Sequence, residues 1–385
     1  MARRTAPLGW LQLRHRPLRL LVASAGIAFA VLLILMQLGF RSALFESAVR
    51  YHDRFQFGVA LFSRDSQFIV RPQPFPIYRL YQALAVPGVA EVSPVCIYQA
   101  VWKNPWDHER HSIFSVGIDP DDDVLHTPGL AEQRDLLRQE DAVLFDALSR
   151  PEHGPVAEQI RAGLPVVTEV NDREVRVVGL FEMGTSFGID ASLLTSDTNF
   201  LRLFPARPRD QIDLGLVQLD GSVPPELVRD RLRALLPQDV LVMTKQDFFA
   251  RELAYWDAAT PIGYVFAFGA VMGFVVGAII VYQILFADVS DHLHEYATLR
   301  AIGYSNRFVA GIVVQQAVIL AVLGYLPGML VTVWLYDRAG AATRLPLGLT
   351  WERALAVFAL TLVMCALSGL LALRKVRALD PAEVF

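Results

Sequence analysis

Four stretches of this chain contain no Lys, Arg, Asp or Glu: Leu20–Phe40, Pro261–Ala287, Phe308–Tyr336 and Ala354–Leu373. Each is long enough to cross a hydrocarbon core of about 30 Å as a helix rising about 1.5 Å per residue. Inside that core no water is at hand for backbone N–H and C=O groups, and a helix satisfies them internally. The runs therefore predict four transmembrane helices, and the remaining residues must be arranged around them. A mean hydropathy of +0.37 agrees, because a soluble chain of this length needs more polar surface.

Between the first two runs, residues 41–260 carry 22 basic and 32 acidic side chains and no further run of spanning length. This insert must lie wholly on one side of the membrane. Arg3, Arg4, Arg14, Arg16 and Arg19 precede the first run, and Arg374, Lys375 and Arg377 follow the last. Basic flanks stay inside, so both ends are expected in the cytoplasm and the acidic insert on the exported side. The fold class that follows is an integral membrane protein with four transmembrane α-helices and a large α+β periplasmic domain between spans 1 and 2. Its expected parts are an interfacial amphipathic helix (1–19), span 1 (20–40), the periplasmic domain in two subdomains (41–260) and span 2 (261–287). A cytoplasmic loop or helix (288–307), span 3 (308–336), a short periplasmic loop (337–353), span 4 (354–373) and a cytoplasmic tail (374–385) complete it. The first run is longer than the apolar core of a signal peptide and lacks a small-x-small site, so it reads as an uncleaved anchor. Cys96 falls in the insert and Cys365 in the last run, which excludes a disulfide between them within one chain.

Within the insert, β-rich runs at 57–62, 67–70, 89–102 and 112–118 predict strands, and 77–85 a short helix ended by Pro87-Gly88. The runs 164–170 and 174–180 flank Asn171-Asp172-Arg173, a hairpin signal. Residues 212–219, 224–236 and 240–243 read strand, helix, strand. Thr244 and Asp247 have the spacing of a capping box. The helix they open runs toward span 2, so that 244–287 reads as a nearly continuous rod with Pro261 as a kink.

Chemistry-bearing motifs are few. The only lysines are Lys103, Lys245 and Lys375, and none follows G-x-x-x-x-G, so the chain has no phosphate-cradling loop and any ATP hydrolysis belongs to a partner. Gly184-Thr185-Ser186-Phe187-Gly188 matches G-x-S-x-G, but the next residues read as turn and strand rather than helix, and no His follows Ser186 within the insert. His108 and His111, and the run Asp121-Asp122-Asp123, lack the spacing of zinc or calcium ligands. Neither catalysis nor metal or cofactor binding is expected. The spans carry Gln37, Gln283, Gln315 and Gln316 but no ionisable side chain, which argues against a channel or proton-coupled carrier and for interhelical hydrogen bonding. Gly269, Gly273 and Gly277 repeat on one helix face, a spacing that lets another helix approach closely; whether that helix belongs to the same chain or to a second copy stays open.

Residues 287–306, ADVSDHLHEYATLRAIGYSN, lie between spans 2 and 3 and form a short charged helix where a soluble cytoplasmic partner could dock. His294, Glu295 and Arg300 would make polar contacts, Leu299 and Ile302, with Ala301 between, would supply apolar ones, and Gly303 would close the helix. EYATLRAIG resembles the coupling segment of ABC exporter permeases. The stretches GWLQLRHRPLRLLVASAGIAFA, MQLGFRSALFESAVR, YRLYQALAVPGVAEVSP, LLTSDTNFLRLFP and the terminal DPAEVF extend the resemblance over most of the chain. Together they are similar to the macrolide-exporter, lipoprotein-release and cell-division (MacB/FtsX-like) permease superfamily, and within it to the DevC group of glycolipid exporters. His294 departs from the basic residue, often Arg, common before the Glu, a difference that would bear on the choice of ATPase.

The resemblance implies a homodimer in the inner membrane with a cytoplasmic ABC ATPase, a periplasmic membrane-fusion-type adaptor, an outer-membrane channel and a lipid-like or amphiphilic substrate. No nucleic-acid partner is expected. The mechanism it suggests is mechanotransmission, in which the 288–306 loop moves with the ATPase and the rod carries the displacement outward. The alternatives are a signalling permease that activates a cell-wall hydrolase, a lipoprotein-releasing permease and, from Ser186, a membrane-anchored esterase.

Overall fold

A computed structural model describes residues 8–14, 17–186, 188–259 and 261–377. Its contacts divide the chain into a helical unit, built from residues 1–43, 261–343 and 347–385, and a mixed unit of residues 44–260 with 344–346.

The helical unit contains α1 (Leu8–Arg14) and four long helices: α2 (Pro17–Arg54), α8 (Pro261–Asp291), α10 (Asn306–Thr343) and α11 (Trp351–Arg377). All four are long and apolar enough to cross a membrane. Each extends beyond its uncharged run, since a helix does not end where lipid does. Ile27 and Val31 of α2, Val281 of α8, Val313 and Leu320 of α10 and Met364 of α11 meet in a shared core. Other large apolar side chains point outward, among them Tyr264 at 70% exposure and Leu330 at 66%. Water would penalise that distribution by roughly 25 cal/mol per Å²; hydrocarbon does not.

In the mixed unit, β1 (Val59–Ser63), β3 (Val89–Lys103), β4 (Arg110–Ile118), β5 (Ala142–Asp146), β6 (Val166–Val170), β7 (Arg173–Phe181), β8 (Ser192–Ser196), β10 (Leu214–Leu219) and β11 (Val240–Thr244) form one sheet. Its order is β11-β1-β10-β3-β4-β8-β5-β7-β6, and β6 also pairs with β3 through Trp102↔Val170 and Lys103↔Glu169. Six strands thus close a ring, while β11, β1 and β10 extend from β3 as an open sheet. The β4–β8 and β5–β7 pairs are parallel and the others antiparallel. A small second pair joins β2 (Phe75–Pro76) to β9 (Gln211–Ile212). Helices α3 (Tyr78–Gln82) and α6 (Pro225–Leu235) bury Leu80, Val228 and Leu232 with Val59, Leu61, Val217 and Val242. Helices α4 (Val156–Arg161) and α5 (Asp197–Leu203) contribute Val156 and Leu203 to the core beside Trp102 and Phe145.

Local chemistry explains the joints. The β6–β7 turn holds Asn171 and Asp172 at φ 50° and 62°, the paired left-handed conformation of a tight hairpin. Asn171 Oδ1 accepts from Val101 N–H at 2.8 Å, tying the turn to β3. Before α7 (Lys245–Ala254), Asp247 N–H donates to Thr244 Oγ1 and Thr244 N–H to Asp247 Oδ2, both at 3.2 Å, which completes the capping box. Asp213 is fully buried; it accepts from Ile97 N–H at 2.6 Å and meets Arg207 Nη2 at 2.6 Å. Burial pushes its carboxyl up to about 6 even though Arg207 pulls the other way.

One local expectation changes. Residues 67–70 form turns rather than a strand, because Phe68 stacks on Tyr255 at 4.5 Å and Ile69 N–H donates to Glu252 at 3.2 Å. Over 244–287, α7 runs directly into a π-helical turn at Tyr255–Ala259 and α8 begins at Pro261; their junction at Thr260 lies outside the described residues.

Candidate functional site

Helix α8 continues past Ala287 to Asp291, and after His292 the chain enters α9 (Leu293–Ala301). The offset is bridged by His292 N–H to Asp288 O and Tyr296 N–H to His292 O, both at 3.1 Å. Helix α9 has two faces. Tyr296 is fully buried, and Leu293 and Leu299 pack beside it on the helical core. His294, Glu295, Thr298 and Ala301 are exposed. Leu299 therefore faces inward, since three residues from Tyr296 is the same face of a helix. Ile302, 71% exposed, is the outward apolar residue. The side chain of Arg300 lies outside what the structure describes.

Gly303 ends the element. It sits at φ 104°, and Tyr304 N–H reaches back to Leu299 O at 3.0 Å, the reverse turn that closes a helix on a left-handed residue.

Beneath α9 lies a polar floor. Gln316 of α10 is fully buried and donates from Nε2 to Asp288 Oδ2 at 2.8 Å and to Gln12 Oε1 at 3.0 Å. Gln12 Oε1 also accepts from Tyr296 Oη at 3.4 Å, and Gln12 Nε2 donates to Glu295 Oε2 at 3.3 Å. Burial first, then the Asp288 carboxylate, pushes the Tyr296 phenol upward, so it remains a donor. His292 Nδ1 stands 3.6 Å from Asp288 Oδ1, and Arg19 of α2 pairs with Asp291. The sequence marks Gln316 as a hydrogen-bonding residue of its span but not Gln12 or Asp288. Asp288 lies just past the uncharged run, and only the helix continuing to Asp291 brings it over Gln316. In LGWLQLR nothing distinguishes Gln12 from an ordinary polar residue.

The three glycines of α8 face α2 of the same chain. A Cβ on Gly269 would come 2.5 Å from the Gln37 amide carbon, one on Gly273 3.1 Å from Ile34 Cγ1, and one on Gly277 2.6 Å from both Ala30 Cβ and Met364 Sδ. The seam is thus between the first two apolar helices and touches α11 at Gly277.

The remaining motifs fall into structural settings. Ser186 is buried and its N–H donates to Ile189 O at 2.8 Å, so the chain turns back on itself where a nucleophile elbow would enter a helix; Phe187 lies outside the described residues. Asp123 pairs with Arg134 at 2.7 Å and Asp121 meets Arg138. Glu109 stands 3.8 Å from His111. Among the described residues no three His, Cys, Asp or Glu side chains gather as metal ligands.

Residues 267–381, which contain most of α8 and all of α9, α10 and α11, match the family described as FtsX-like permease C-terminal. Over its length the chain is similar to an uncharacterized ABC transporter permease of Mycobacterium tuberculosis strain H37Rv, 24% identical over 99% of this chain and 98% of that protein. A second from the same strain is 22% identical over the same shares. Among solved structures, the extracellular domain of the noncanonic ABC-type transporter YknZ from Gram-positive bacteria aligns with a TM-score of 0.34 at 16% identity, over 48% of this chain and 99% of that one. The periplasmic region of MacB from Actinobacillus actinomycetemcomitans aligns at 0.32 and 16%, over 49% and 91%. The region that matches the family holds α9 and its polar floor except for Gln12 and Arg19; residues 267–381 are thus similar to the FtsX-like permease C-terminal family, and the chain over its length to ABC transporter permeases.

Proposed function

We propose that the chain is the permease subunit of an ATP-driven exporter, and that α9 is its contact with a separate cytoplasmic ATPase. The observation that carries this reading is the two-faced geometry of α9: Tyr296 is locked into the helical core while Glu295, His294 and Ile302 face outward. A helix built so transmits displacement, because a push on its outer face reaches the core through packed side chains. Both termini lie in the cytoplasm of an inner-membrane protein, and the 41–260 domain in the periplasm. Two copies work together with a membrane-fusion-type adaptor and an outer-membrane channel, as the likeness to the DevC group implies. The substrate is lipid-like or amphiphilic and is taken from the periplasmic side, in keeping with spans whose uncharged runs offer no ion path. Motion of 288–306 with the ATPase passes through 244–287 to the periplasmic domain.

The test is mild crosslinking in the native membrane, gentle extraction of the tagged full chain and identification of its companions. An ATPase with a fusion-type adaptor is the expected result. An ATPase with a wall hydrolase would move the reading to a signalling permease, and the absence of any ATPase would overturn it. A Glu295→Ala/Arg300→Ala variant should lose partner-dependent ATP hydrolysis and export; full retention of both would count against the docking role.

A further inference from the structure

Gln12 lies where three elements meet. Its amide donates to Glu295 at 3.3 Å on the exposed face of α9, and its carbonyl accepts from Tyr296 at 3.4 Å and from Gln316 at 3.0 Å. Gln316 Nε2 in turn donates its second N–H to Asp288 Oδ2, in the last turn of α8. The approach of α1 to α10 is close enough to make these bonds because of Gly9. A Cβ there would stand 3.1 Å from both Gln316 Cγ and Ile312 O, and Gly9 N–H points at Gln315 Oε1 at 3.4 Å. Two independent features, a shared amide and a backbone seat, thus fix α1 on the floor beneath α9.

We propose that Gln12 is a positioning residue of the ATPase-facing surface: α1, bound through it, sets the orientation of Glu295 and holds α9 on the α8–α10 floor. This rests on reading α9 as the ATPase contact. An amide suits the position because it donates to a carboxylate and accepts from a phenol and a second amide at once. A carboxylate there would face Glu295 with like charge, and an apolar residue would leave Gln316 with a buried donor unpaired.

The test uses the full chain in nanodiscs with the ATPase that copurifies with it. Gln12→Ala should raise the ATPase concentration for half-maximal stimulation about fivefold, the size of one or two lost hydrogen bonds, with the maximal rate little changed. Gly9→Val should do the same by lifting α1. Asp288→Asn keeps an acceptor for Gln316 and should stay near wild type, whereas Asp288→Leu should not. Without any partner, hydrogen exchange at 293–301 should quicken in Gln12→Ala while α11 is unaffected. Unchanged exchange and unchanged half-saturation in Gln12→Ala would overturn the proposal, as would Asp288→Asn behaving like Asp288→Leu. If Glu295→Ala is also silent toward the ATPase while exchange responds to Gln12→Ala, the docking reading fails and the positioning of α9 stands.

Discussion

Gly303 illustrates how much one backbone angle can carry. Its φ is 104° and a Cβ added there would meet no other atom within 4 Å, so the need for glycine is conformational rather than steric. A β-branched residue there costs on the order of 1–3 kcal/mol of strain. Gly303→Val should therefore fray the last turn of α9, raise hydrogen exchange at 299–304 and weaken ATPase stimulation. Gly311→Ala, in the open interior of α10, should leave both unchanged. Asp141 offers a second residue-scale prediction. Arg173 binds it in a fork at 2.7 and 2.9 Å, and those hydrogen bonds, opposed by some burial, hold its carboxyl below the usual carboxylate range. A folded value below the unfolded one contributes stability that is present above about pH 4 and lost as pH falls through the folded value. The β6–β7 hairpin should therefore loosen below about pH 4, read by hydrogen exchange, and Arg173→Ala should shrink that acid step to what Arg202, 3.8 Å from Asp141, still contributes.

At the scale of elements, the α2–α8 seam depends on the absence of side chains. In hydrocarbon, apolar contact with a neighbour is no better than contact with lipid until backbones come close, and three glycines on one face permit that. Gly277→Leu would drive a side chain into Ala30 and Met364. Overpacking of this kind costs about 1–3 kcal/mol, so the melting temperature in nanodiscs should fall by several degrees, with Gly277→Ala intermediate; an unchanged value would show the seam to be loose. The same scale explains what could be read in advance. The four spans were legible because charge stops at sharp edges, and the β6–β7 hairpin because Asn171-Asp172 tolerate left-handed angles. Strand β5 escaped notice, since Ala-Val-Leu-Phe-Asp is five residues buried on both faces, without the alternation that marks a half-exposed strand. The outer face of α9 was partly legible: Glu295 and Ile302 emerge outward, but Leu299 turns in. The polar floor was not, because Gln12 and Gln316 are 304 positions apart and meet only through tertiary packing.

For the whole molecule, strand order matters more than strand count. The 15-residue β3 pairs with β10 near its start and with β4 and β6 near its end, serving the open sheet and the closed ring at once. Its loss would open both, so the mixed unit should behave as a single cooperative block despite its several apolar clusters. Between α2 and α7 the chain enters the sheet of that block through β1 and leaves it through β11, and these two are antiparallel neighbours, with Val59 opposite Thr244 and Ser63 opposite Val240. Entry and exit are therefore a strand's width apart. A sheet whose ends meet like this can be exchanged as a cartridge: whatever is built between β1 and β11 can be enlarged, trimmed or replaced without changing the spacing that its two connections to α2 and α7 must satisfy.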